Sequence, residues 1–579
     1  MSYYDAALFF NFKTNYKMFN SKKTTLFETT SNPFVNAALK EQSVRTNTNN
    51  GGVAYTTSGD PFVDQFGSSS EYLTQRDFSL ISKDCEILWD CDKEKAVKFM
   101  FFIRMITRKV TYTLEGSQVT TKEPQKGAEL RYESIMRYIW LSINHTSIFW
   151  KNAWLIPFVG SWKDIFLMLR YDLVYNGWDN RALDWTRFGE LILSGLENTN
   201  TSSLVKKYLP QIKAKSKCKT IEAQANCLIG KWISSLIFGS TNNLSHTDKY
   251  VIYRKYARLK ASGTAHEWQQ LISKCQYNRI NFNSIHAKAL GILAKSNFFD
   301  KYGLREAFTK WITNDNTKVK ATEFVHEIFS AFPNVSFYST TPKVLDDTAA
   351  LINKKFNTLV EKGKSSENLC KFIVARDTSS SMTARVNGTT SSCYDIAKAL
   401  ALYFSEFLTG PFAGTFLEFA DTCRIRQWIG KTPLDKWLND DCEAYGSTNF
   451  YSIIELFADI KINQKVSEEY FPKGILCISD GEFDPNMYNT NSIDAAKAKL
   501  KEAGFSQEYI DSFVMVFWNI VNIYYSKTKF QSTNNIPNVY YFSGFSGSII
   551  SFINGEQGCT AKDIFDSAMN QEILNLIKL

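Results

Sequence analysis

Asp377-Thr378-Ser379-Ser380-Ser381 sets one carboxylate and two hydroxyls at alternate positions of a polar loop, where all three can project onto one spot. Two other segments supply donors of the same kind. Gly446-Ser447-Thr448-Asn449 offers a hydroxyl at the start of an expected helix, and Ser479-Asp480-Gly481 offers a second carboxylate. Asp377, Ser379, Ser381, Thr448 and Asp480 together make an oxygen-only donor set. That chemistry suits a hard divalent cation, Mg²⁺ or Mn²⁺, completed by water and an outside ligand. Asp-x-Ser-x-Ser alone reads as an ordinary polar turn; Thr448 and Asp480 in register with it turn the reading towards a metal site.

Patterns for catalysis fail at particular residues. His266-Glu267 opens like a zinc-protease helix, but position 270 is Gln. Gly544-Phe545-Ser546-Gly547-Ser548 departs from the hydrolase elbow at its last position. No Gly-Lys-Ser/Thr phosphate loop follows a strand. All five histidines (His145, His246, His266, His286 and His326) lie before the acidic loops, leaving those loops without a base nearby in sequence. No catalytic residue is expected, and the chain is not read as an enzyme.

The donor loops need strands to hold them. Phe372-Ile373-Val374-Ala375 is a short apolar run, and further strands are expected at Thr415 to Ala420, Gly474 to Ile478, Phe513 to Trp518 and Val539 to Phe542. Helices are expected at Ser392 to Leu408, Asn449 to Ile460, Ser492 to Ala503 and Ala561 to Ile577. Nearly all-apolar strands alternating with helices predict a doubly wound parallel sheet, with ligands at the strands' carboxyl ends. Upstream the rhythm is helical from about Cys85 to Leu359, with apolar stripes such as Phe99, Phe102, Ile103 and Ile106. Helices of this length with polar breaks predict an α-solenoid of antiparallel pairs. The expected division is a largely irregular arm over 1–80, a helical-repeat domain over 81–363 and an α/β domain over 364–579.

Hydrophobic residues at 44% and charged residues at 22% exclude wholesale disorder. Apolar runs such as Phe513 to Trp518 fall short of the ~20 residues of a membrane helix. Met1 to Asn20 shows no secretory signal, and eleven cysteines without a CxxC pair read as reduced thiols. A cytoplasmic monomer is expected, with no membrane partner.

The net charge of +9 is unevenly spread. Residues 201–320 hold 21 Lys+Arg against 6 Asp+Glu, a net of +15, whereas 371–579 hold 18 against 24. Basicity concentrated in a folded segment points to a polyanion, and a solvated Lys-rich face is the other reading. Lys206, Lys207, Lys213, Lys215, Lys217 and Lys219 form one dense group; Arg254, Lys255, Arg258 and Lys260 form another on an expected helix. Tyr253, Tyr256, Trp268 and Tyr277 lie among them, with helix packing the first expectation for each and base stacking the second.

The five donor positions look like the metal-ion-dependent adhesion site of von Willebrand factor A domains. The run Phe471 to Asp484, with Ser479-Asp480-Gly481-Glu482-Phe483-Asp484 at its end, is similar to the corresponding strand of TROVE-like proteins, relatives of the Ro autoantigen. Phe517-Trp518-Asn519 and Ser543-Gly544-Phe545-Ser546 resemble that family's last two strands. In the helical part Gly160-Ser161-Trp162-Lys163-Asp164, Phe102-Ile103-Arg104, Tyr253-Arg254-Lys255-Tyr256 and, upstream, Ser58 to Val63 match its motifs. Arg104 is followed by Met105, Ile106 and Thr107 where the family has Asp-Ile-Arg, and the Gly-Lys-Gly downstream is missing. The resemblance implies a ring of HEAT-like helical repeats closed by an A domain. It also implies binding of single-stranded ends of misfolded or small noncoding RNA in a basic channel. The alternative is a protein-interaction or structural module, of viral origin in one version, whose A domain docks a partner's Asp or Glu onto the metal.

Overall fold

The computed structural model describes residues 44–69, 76–114, 117–241, 244–263, 267–321, 323–329, 346–363, 372–386, 389, 391–409, 412–520, 528–533, 536–545 and 559–579. Residues 1–43 of the expected arm, His266, residues 364–371 at the start of the expected α/β domain and Ser546 to Ser548 lie outside these.

The described part of the arm is regular. β1 (Arg45–Asn47) and β2 (Val53–Tyr55) pair antiparallel, and Tyr55 bridges to Phe530. A helix follows over Pro61–Gly67, started by Pro61 and by the Asp60 carboxylate, which accepts from the Phe62 amide at 2.8 Å. This strap packs on the last strand and helix through Phe66–Phe542 and Phe62–Phe565 ring contacts at 5.9 and 5.1 Å.

The helical region holds the expected helices. They include Lys93–Arg104, Arg131–Asn144, Trp162–Asn176, Trp185–Glu197, Ile221–Phe238, His246–Ala261, Arg305–Thr313 and Asp346–Gly363. The stripe on the first of these is fully buried at Phe99, Phe102 and Ile103, about 1.5–3 kcal/mol of burial for each side chain. An unforeseen antiparallel hairpin, β3 (Thr111–Leu114) and β4 (Ser117–Thr120), interrupts the helices.

One close approach explains a motif. A Cβ on Gly160 would meet Asp164 Oδ2 at 2.2 Å and Arg104 Nε at 2.9 Å. Asp164 caps helix Trp162–Asn176 with Ser161, and its two oxygens hold Arg104 at 2.8 Å and Arg131 at 3.0 Å. Arg104, 1% exposed, is therefore a packing cation.

The C-terminal sheet has six strands: β5 (Phe372–Asp377), β6 (Thr415–Phe419), β7 (Cys423–Gln427), β8 (Gly474–Ser479), β9 (Val514–Asn519) and β10 (Val539–Ser543). Their order is β10-β9-β8-β5-β6-β7, all parallel except β7, an antiparallel edge strand absent from the sequence expectation. Alternate residues of one strand enter different cores: Phe372 and Val374 join the core shared with the helical region, Ile373 and Ala375 the core under helices Tyr451–Asn463 and Ser492–Glu502. Both faces are thus covered, which is why the strands read as continuous apolar runs.

Candidate functional site

From β5 the chain moves to β6 on one side, while β8 lies on the other, so the strand order reverses between β5 and β8. Crevices form at such points beyond the carboxyl ends of the strands. Asp377 ends β5, Ser479 ends β8 and Asp480 follows it. Backbone bonds stitch the third loop to them: Ser380 N–H donates to Gly446 O at 3.1 Å, Tyr445 N–H to Thr378 O at 2.8 Å and Asp484 N–H to Thr448 O at 2.9 Å.

The structure gathers the five donor residues on loops at this edge. Ser379 and Ser381 Oγ are 3.1 Å apart. Adjacent ligands of an octahedral Mg²⁺ with 2.0–2.1 Å bonds sit about 3 Å apart, so the hydroxyl pair fits such an ion. Asp377 accepts from Ser379 N–H at 2.8 Å and from Ser479 Oγ at 2.5 Å. Asp480 is hydrogen-bonded to Ser381 and accepts from Glu482 N–H at 3.3 Å. Asp377, Ser379, Thr448 and Asp480 are all buried. Burial raises both acids out of the usual carboxylate range, with Asp484 adding to the effect at Asp377 and Asp377 adding to it at Asp480. A dication would relieve that repulsion. Among the described residues no group of three or more His, Cys, Asp or Glu is set to hold a metal, so a cation here would draw on the hydroxyls too.

Sequence reasoning missed the surroundings of this set. The strap turn lies over it: Thr48 Oγ1 donates to Phe483 O at 2.5 Å, Asn49 N–H to Glu482 Oε2 at 2.6 Å and Asn50 Nδ2 to Glu482 O at 2.6 Å. Asn50 Nδ2 also reaches Thr448 Oγ1 at 3.4 Å. Glu482 Oε1 and Asn519 Oδ1 are buried oxygens that accept no hydrogen bond among the described residues. At the rim, Asp421 Oδ1 accepts from Ser447 N–H at 2.7 Å, and Ser447 Oγ also reaches Asp484.

The basic residues divide. Lys207, Lys213 and Lys260 line one neighbourhood of the helical region with Lys163 and Arg170, around a cleft of about 530 Å³ whose lining has Glu222 as its one described acid. Partial burial lowers the Lys163 ammonium, with Arg131 and Arg170 adding repulsion; burial also lowers Lys207 and Lys260. Lys260 Nζ donates to Lys207 O at 3.0 Å and Leu209 O at 2.5 Å. Arg170 Nε is buried without a hydrogen-bond partner among the described residues. Lys163 and Arg170 were legible as two cations seven residues apart on one face of a helix whose other charged residues are Asp164 and Asp172.

The remaining cations are not gathered there. Arg254, Lys255 and Arg258 point outward, Lys217 and Lys219 are exposed, and Lys206 is half-buried behind Gly263. The Lys215 side chain lies outside the described residues. Of the interleaved aromatics, Tyr256 is buried and donates to Pro210 O at 2.9 Å, Trp268 is buried, and Tyr277 stacks on Tyr302 at 3.9 Å. Tyr253 faces a separate cleft.

No helix in the described residues is long and apolar enough to cross a membrane. A family model described as a domain of unknown function, DUF7788, matches residues 371–573, the sheet and its helices. No curated protein matches the chain. Among solved structures, the chain is similar to the Ro (RSR) protein of Deinococcus radiodurans at 13% identity and a TM-score of 0.38, covering 76% of this chain and 87% of that one.

Proposed function

We propose that the chain binds single-stranded RNA, including free ends and small noncoding RNA, through the basic clefts of its helical region. In this reading that region is a HEAT-like solenoid in a ring-like arrangement, and the sheet is a von Willebrand factor A domain. The observation that carries it is the convergence of Lys163, Arg170, Lys207, Lys213 and Lys260 on one cleft with a single acid, Glu222, among its described lining residues. Arg170 repels the Lys163 ammonium there, and a phosphate backbone would remove that repulsion without regard to sequence.

At the sheet edge, Asp377, Ser379, Ser381, Thr448 and Asp480 would hold a Mg²⁺ or Mn²⁺ ion. The ion would neutralise the buried acids and steady the three loops. The alternative, docking of a partner's carboxylate at that ion, has the same donor set in its favour. Against it stand the acidic rim at Asp421 and Asp484 and the strap turn bonded across the edge.

The test is a titration of labelled single-stranded RNA at two salt concentrations, with duplex RNA and single-stranded DNA alongside. Salt-sensitive binding that prefers single-stranded RNA is expected. Reversing Lys163 and Lys213 to Glu weakens it across sequences and flattens the salt slope by about 0.7 per lost phosphate contact. Absence of binding at low salt overturns the proposal.

A further inference from the structure

We infer that a second cleft, of about 730 Å³ between helices Ile221–Phe238 and His246–Ala261, is a stacking site for an unstacked base of single-stranded RNA. The inference rests on the RNA reading above and names what this separate site takes.

Trp178, Trp232, Tyr250 and Tyr253 line the cleft with Lys231 and Lys249, and no Asp or Glu is among its described lining residues. Trp178 is 38% exposed and Tyr250 56%, so much aromatic surface is left in water at this place, with the Arg181 guanidinium over one side of the Trp178 ring and the Arg254 guanidinium over one side of the Tyr250 ring. The tryptophans are held, not loose. Trp178 meets Trp185 edge-on at 5.4 Å, Trp185 meets Trp232 at 4.8 Å, and the Arg181 guanidinium lies 4.2 Å from the Trp178 ring centroid. A platform already fixed by packing loses little freedom when a ring settles on it.

The combination selects the ligand. Rigid aromatic faces accept the π-face of any base, and the two lysines beside them suit its phosphates. A duplex keeps its bases stacked inside and offers no free ring. An acidic peptide would meet the lysines but leave the aromatic faces unused.

This cleft shares no lining residue with the lysine cleft. The two lie on opposite faces of helix Ile221–Phe238: Glu222, Ala223 and Asn226 look one way, Leu228, Lys231, Trp232 and Ser235 the other. Substitutions in one therefore leave the other in place.

The experiment compares a uridine-rich single strand with the same strand made abasic, against wild type, the Trp178→Ala/Tyr250→Ala double variant and Tyr250→Phe. Wild type is expected to prefer the normal strand. The double variant is expected to lose roughly 5- to 150-fold affinity per stacked base for the normal strand and none for the abasic one. Tyr250→Phe keeps its ring and binds as wild type. Crosslinking from 4-thiouridine should place the base on the cleft's aromatic peptides. Equal loss for both strands, an unchanged double variant, or crosslinks confined elsewhere overturns the cleft while leaving RNA binding standing. A wild type that binds neither strand overturns the RNA reading itself and this site with it.

Discussion

Replacing Gly52 by Ala tests whether the strap turn is seated at the sheet edge. A Cβ at position 52 would meet Phe483 O at 2.3 Å and Asp484 O at 2.8 Å. Both are backbone atoms of a loop anchored through Asp484 N–H to Thr448 O, so neither can swing aside as a flexible side chain would. The turn must lift. Lifting breaks two neutral hydrogen bonds, from Thr48 Oγ1 to Phe483 O and from Asn50 Nδ2 to Glu482 O, and the charge-assisted one from Asn49 N–H to Glu482 Oε2. At about 1 kcal/mol for each neutral bond and about 2 for the third, the cost is about 4 kcal/mol. Glu482, 1% exposed and with Oε1 already lacking a donor, has no ready replacement. Hydrogen exchange at the Asn49 amide reads that opening directly, and about 4 kcal/mol is roughly a thousandfold in the opening constant. A change of less than about threefold at Asn49 would refute the seating of the strap on Glu482.

Three further outcomes follow from named contacts. Asp440→Asn removes the partner of buried Arg376 at 2.7 Å and Lys398 at 3.2 Å, and should cost about 3–5 kcal/mol in urea unfolding; a loss under about 1 kcal/mol would contradict the pairing. Mg²⁺ at 100 times its dissociation constant should stabilise wild type by about 2.7 kcal/mol and Asp377→Ala not at all, with chelation reversing the effect; equal shifts in both would place the ion elsewhere. His326, packed against Phe545 at 4.6 Å, is lowered to about 4 by burial. The unfolded chain therefore binds the extra proton first as pH falls below about 6.5, and the folded state loses about 2 kcal/mol by pH 5. His326→Gln should flatten that limb of the stability profile, and an unchanged limb would count against it.

The donor set was readable because its residues sit where apolar strands give way to polar loops, a boundary that strand period and composition both mark. The strap was not. Arg45–Asn47 and Val53–Tyr55 are three residues each, too short to announce a strand, and gain their structure from Phe530 and the loop at Glu482. Edge strand Cys423–Gln427 hid for a related reason: Arg424 and Ile425 on its two faces are both exposed, Ile425 at 59%, and Arg426 is half-buried, so no buried run appears. Charge counting found the basic segment but not its partners, since Lys163 and Arg170 lie outside residues 201–320 and only folding brings them to Lys207 and Lys213. Tyr256 and Trp268 took the packing role expected first, while Trp178 and Tyr250, which no motif marked, stay partly exposed.

The strap also sets a schedule for making the protein. Asn49 and Glu482 are 433 positions apart, and Asn152 and Lys578, joined at 2.7 and 2.8 Å, are 426 apart. At 5–20 residues per second a ribosome takes roughly 20 to 90 seconds to deliver the second member of each pair. Throughout that interval Phe62 and Phe66 have emerged, and the strand and helix that cover them do not yet exist. Until residues 539–569 are made, the nascent chain thus carries an aromatic segment that the helical region covers only in part, through Phe66–Phe102 at 5.6 Å. That is the kind of surface a chaperone holds until synthesis is complete.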